Sequence, residues 1–159
     1  MFDQILGLPA HPLIIHFAVV LTPLLVAVDV AYALFARWRA FLAWAVVVLS
    51  VVAPGAVFVA KETGERLKQA RFGSVDGVLA AKLDTHQSFA NPLLLSAVGL
   101  GAAGLVLVYA TKPSRGSMRD RFGRPATLAL SAVTVVLAVV VGYYCFRAGD
   151  SGARAVWGV

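Results

Sequence analysis

Four long apolar runs, at about 12–35, 41–60, 91–110 and 126–146, constrain this chain more than any other feature. The first carries His16 and Asp29, and the other three carry no formal charge. At about 1.5 Å of rise per residue, runs of about 20 to 24 residues reach about 30 to 36 Å, which matches a hydrocarbon core. They are twice as long as a barrel strand and lack its alternation of apolar and polar residues, so helices are expected. With 60% hydrophobic residues, 14% charged ones and a mean hydropathy of +0.82, a soluble globular domain is excluded. The reading is an all-α integral membrane four-helix bundle, with residues 1–159 as a single membrane domain.

An even number of spans puts both termini and the 61–88 connection on one side, with 36–40 and 111–125 on the other. The 14 Lys and Arg residues divide equally between the two sides. Density breaks the tie: Lys112, Arg115, Arg119, Arg121 and Arg124 crowd one loop, with Arg37 and Arg39 on the same side. The opposite cations are diluted by Glu62, Glu65, Asp76 and Asp84. The dense loop is therefore placed in the cytoplasm and both termini outside, in the plasma membrane. A net charge of +6 then finds its partner in lipid head groups rather than in nucleic acid. Cys145 is the only cysteine, so neither an intrachain disulfide nor a thiolate metal cluster is available. The opening MFDQILGLPA has no Lys, no Arg and no cleavage-like site, so no cleaved signal peptide is expected.

This topology gathers His11, His16, Glu62, Glu65, His86 and Asp150 at one membrane face. His11 precedes Pro12, which predicts an extended residue free to fold over the helix end. His11 and His16 are about 140° apart around a helix and do not share a face. Val75, Val78, Leu79, Leu83 and Phe89 recur at helical spacing, predicting a short amphipathic interfacial helix between the second and third spans. His86 falls on its apolar side and should aim inward. Gly64 in Thr63-Gly64-Glu65 reads as a helix-terminating residue, with Glu65 placed to orient a histidine ring. Asp29, about 20 Å beyond His16, faces the bundle interior or reaches for Arg37 and Arg39.

Two internal similarities suggest pseudo-repeated helical hairpins. His11-Pro12-Leu13 resembles Asn91-Pro92-Leu93, and Thr63-Gly64-Glu65 resembles Ser151-Gly152-Ala153. Ser96, Gly99 and Ala103, with Gly101 and Gly104, form a small-residue face suited to close helix packing. Trp38, Trp44, Trp157, Tyr109, Tyr143 and Tyr144 read as interface anchors. The chain has no phosphate-binding glycine loop, no Ser-His-Asp order with plausible reach and no HExxH motif, so an enzyme is not the favoured reading.

The segment Leu8-Pro9-Ala10-His11-Pro12-Leu13-Ile14-Ile15-His16-Phe17 resembles the opening of the membrane family catalogued as domain of unknown function 2231. The likeness continues through Thr63-Gly64-Glu65, His86, the closing Gly149-Asp150-Ser151-Gly152-Ala153 and Trp157. Some members carry this domain fused to Rieske iron–sulfur or cytochrome modules, which implies an electron-transfer setting and a Rieske or cytochrome redox partner. The chain departs from the family at Ala18, often proline, and at Asp150, often histidine.

Three functional readings follow. In the first, two of His11, His16 and His86 ligate haem b for electron transfer, with Arg66 or Arg147 near its propionates. The second is a divalent transition-metal site of His11, His16 and His86 with Glu65 or Asp150. The third is a structural or subunit-interaction protein whose polar groups satisfy helix ends. Self-association is left open.

Overall fold

The computed structural model describes residues 4–5, 8–72, 77–111 and 121–157. Lys112, Arg115 and Arg119 of the basic loop, and Val75 and Asp76, lie outside the described residues.

An antiparallel ladder of β1 (Gln4–Ile5) and β2 (Leu8–Pro9) leads into α1 (Ala10–Leu34). A 3-10 turn at Ala36–Trp38 connects it to α2 (Arg39–Phe72). After Gly77, in the left-handed region at φ 80°, come α3 (Val78–Ser88) and α4 (Ala90–Thr111). The last helix, α5 (Arg124–Trp157), follows Gly123 at φ 82°. Among the described residues, four helices are long and apolar enough to cross a membrane.

The helices differ from the sequence expectation in two places. His11 is helical, not extended, because Pro12 occupies the first turn, where a missing N–H leaves no bond unmade. Helix α2 runs through Gly64 to Phe72, so Gly64 does not end it. Both α2 and α5 have 34 residues, about 51 Å of helix, and extend past their apolar runs on the side of the chain termini.

Around the bundle, α1 lies between α2 and α5, α4 lies between the same two, and α3 leans chiefly on α5. Exchanging the α1–α2 hairpin for the α4–α5 hairpin reproduces these neighbours, as a two-fold axis along the bundle would require. Leu25, Leu100, Ala53 and Val141 fill the centre, and Tyr32, Val46 and Leu107 fill the end near the α1–α2 turn. Phe17, Phe41, Val51 and Val139 point outward, each more than half exposed, where lipid replaces water as their solvent.

The small-residue face of α4 sets the closest contacts. A Cβ on Gly101 would lie 2.8 Å from the Ser50 backbone oxygen, and one on Gly104 would lie 2.6 Å from Asp29 Oδ1. Gly101→Ala is therefore expected to destabilise the bundle by about 1–3 kcal/mol, because backbone cannot move aside as a side-chain tip does. Gly142→Ala, with nothing within 4 Å, should leave stability unchanged or raise it. Thermal unfolding in detergent checks both.

Candidate functional site

Two imidazoles occupy equivalent positions in the two halves of the bundle. His11 Nδ1 lies 2.9 Å from the Ala60 carbonyl oxygen on α2 and 3.4 Å from Thr63 Oγ1. His86 Nδ1 lies 3.0 Å from the Ala148 carbonyl oxygen on α5 and 3.1 Å from Ser151 Oγ. A carbonyl only accepts, so each Nδ1 carries the hydrogen and each neutral ring keeps a lone pair on Nε2.

The receiving segments repeat as well. Ala60-x-x-Thr63-Gly64 and Ala148-x-x-Ser151-Gly152 each supply a carbonyl, a hydroxyl and a glycine. The Thr63 hydroxyl donates back to Val59 O at 2.8 Å and Ala60 O at 3.0 Å, and the Ser151 hydroxyl donates to Ala148 O at 3.1 Å. A Cβ at Gly64 would lie 3.0 Å from His11 Cε1, and one at Gly152 would lie 3.0 Å from His86 Cε1. Glycine at the middle of these helices is thus explained by ring packing rather than by helix termination.

The structure confirms the pairing of Thr63-Gly64 with Ser151-Gly152 and revises the other half of the repeat. His86, not Asn91, answers to His11, because α3 is a separate helix broken from α4 at Phe89.

Both rings line one cavity of about 160 Å³, walled mainly by apolar groups such as Ile15, Val57 and Leu93. Cys145, Lys61, Glu65 and Lys68 also reach the cavity. Cys145 as a wall of the site was not anticipated from sequence. Its signal was its helical spacing of three residues before Ala148.

The other expected residues are placed elsewhere or engaged elsewhere. His16 is exposed, its Nδ1 2.6 Å from the Pro12 carbonyl of its own helix, on a different face from His11. Glu65 ion-pairs with Lys61 at 2.9 Å, so backbone carbonyls and not this carboxylate orient the rings. Asp150 pairs with Arg154 at 2.9 Å. Lys68 pairs with Asp84 and donates to Gln87 at 2.9 Å. Arg147 stacks over the Phe89 ring at 4.9 Å and Arg66 is exposed, leaving Lys61 and Lys68 as the cations of the cavity. Among the described residues, no group of three or more His, Cys, Asp or Glu side chains is arranged to hold a metal ion.

A four-span membrane protein with an imaged pair of imidazoles at one end of its bundle is the class that fold and site define. The family model described as a predicted membrane protein, DUF2231, matches residues 7–159, and the chain belongs to that family. No curated protein and no solved structure matches it.

The two halves of the site make separable contributions to stability. His11→Ala and Thr63→Ala should couple by about 0.5–1.5 kcal/mol in a double-mutant cycle. His11→Ala with Ser151→Ala should add to within about 0.5 kcal/mol, since those residues belong to opposite hairpins. Equal coupling in both cycles would contradict this assignment of partners.

Proposed function

We propose that the chain binds haem b between His11 and His86 and carries electrons through it. The observation behind this reading is the shared tautomer: Nδ1 of each ring is pinned to a carbonyl on a neighbouring helix, leaving two Nε2 lone pairs for a metal. Haem iron takes four donors from its macrocycle and two from protein, and two imidazoles are available. A bare zinc, nickel or copper ion calls for three or four protein donors. His16, Glu65 and Asp150, the remaining members of that alternative, face away or are held in ion pairs. Apolar walls suit a porphyrin, whose iron, held by His11 and His86, would supply one-electron transfer.

The cavity volume favours a second reading. About 160 Å³ matches a space that admits benzene, so a whole porphyrin requires the walls to part. In that reading the imidazoles are staples that fasten α1 to α2 and α3 to α5.

An ultraviolet–visible spectrum of the purified protein, as isolated and after dithionite, separates the two. A Soret band that shifts on reduction is expected, lost in His11→Ala and in His86→Ala and kept in His16→Ala. A band that survives replacement of all three histidines sinks the haem reading, and a featureless spectrum from haem-supplied cells supports the staple.

The same proposal places the imidazole end at the outer face of the plasma membrane, where a Rieske or cytochrome partner would dock. In intact cells a membrane-impermeant thiol reagent should label Ser74→Cys and spare Ser117→Cys. The reverse pattern would turn the protein over in the bilayer.

A further inference from the structure

The far end of the bundle holds a second polar site. Asp29 has 1% of its surface exposed, and neither of its carboxyl oxygens has a hydrogen-bond partner among the described residues. The hydroxyls of Thr22 on α1, Ser50 on α2 and Ser131 on α5 are buried and unpartnered as well. Most other buried hydroxyls return to their own helix, as Thr134 does to Leu130 O at 2.9 Å.

The glycine face of α4 assembles this site. Gly104 leaves room for the carboxylate, since a Cβ there would lie 2.6 Å from Asp29 Oδ1. One turn away, Gly101 abuts Ser50. Ser131 lies about 10 Å along α5 from Arg124, and Asp29 about 8 Å along α1 from Leu34, so the two share a depth.

Among the described residues, no cation of the surrounding elements neutralises the carboxylate. On α1, the Tyr32 hydroxyl is hydrogen-bonded to Thr111 at 2.8 Å. On α2, Arg39 donates to the carbonyls of Tyr32 and Ala33. Arg37 lies over the Trp38 ring, Arg121 lies over the Tyr109 ring, and Arg124 at the start of α5 is exposed. What α4 presents to Asp29 is Gly104.

We propose that Asp29 is the centre of an intramembrane site for a monovalent cation, sodium or a proton, with the Ser131 hydroxyl at the same depth on α5 as a further oxygen donor. A bare carboxylate in a low-dielectric interior carries a heavy desolvation penalty, and a bound positive charge removes it. The donor set is oxygen only, which suits hard ions and not soft transition metals. One carboxylate with a neutral hydroxyl balances a single positive charge, whereas a divalent ion would leave an excess. The site lies about 27 Å along α1 from His11, so it stands independently of the haem reading.

The test is the melting temperature of the full purified chain in detergent, in sodium chloride against choline chloride at equal ionic strength, between about pH 5 and 8. If sodium binds, the wild type gains about 5 °C or more in sodium, and Asp29→Asn and Gly104→Ala lose that gain. If a proton binds, sodium has no effect and wild-type stability rises as pH falls relative to Asp29→Asn, which keeps the pH response of the remaining groups, His11 and His86 among them. The wild-type infrared spectrum then carries a protonated carboxylic-acid band that Asp29→Asn lacks. Should Asp29→Asn fail to fold, Ser131→Ala keeps the carboxylate and should weaken the sodium midpoint at least about threefold. For the proton, the deuterium-shifted acid band of the wild type alone decides. Identical sodium and pH responses in wild type and Asp29→Asn, with only ionised carboxylate in the infrared, overturn the proposal.

Discussion

Hydrocarbon offers no hydrogen bonds, and the rest of this structure follows from how the chain meets that condition. Backbone groups are satisfied within helices, which is why apolar runs of this length fold as helices at all. Most side-chain hydroxyls inside the bundle turn back on their own helices, as Thr111 does to Leu107 O at 2.8 Å, while those of Thr22, Ser50 and Ser131 do not. The histidines take the same solution across helices, using carbonyls at Ala60 and Ala148 as acceptors. These carbonyls belong to helical residues, so each accepts the imidazole through its second lone pair.

That constraint also explains where glycine is used. At Gly101 and Gly104 the absent Cβ lets α4 press on Ser50 and Asp29, closing one end of the bundle. At Gly64 and Gly152 it admits an imidazole edge instead, and the opposite end of the bundle keeps a cavity. Glycine thus acts at both ends by close approach, with backbone or carboxylate as the neighbour in one case and a ring in the other.

Much of this was legible in the sequence. The runs gave four helices because length and absence of charge leave no other structure in lipid. The amphipathic spacing of Val78, Leu79 and Leu83 announced α3, and with it the inward aim of His86. The small-residue face of α4 was legible because close packing in lipid selects such residues. Gly64 was misread because a glycine that ends a helix and one that makes room for a ring look alike without the neighbour. The acceptors of His11 and His86 were invisible because every residue has a carbonyl. Yet Ala-x-x-Thr-Gly and Ala-x-x-Ser-Gly stood in the sequence as a matched pair, and comparing the residues before each glycine would have found them.

The symmetry bears on what the imidazole end is for. Each hairpin contributes one ring, already bonded to its own half, so each half satisfies its own polar group without the other. The two-fold relation of the hairpins brings both rings to one end of the bundle, where they line one cavity. Under the haem proposal each hairpin would supply one donor, and the site would be complete only when the hairpins dock. With one donor per repeated hairpin, formation of that site and assembly of the bundle would be the same event.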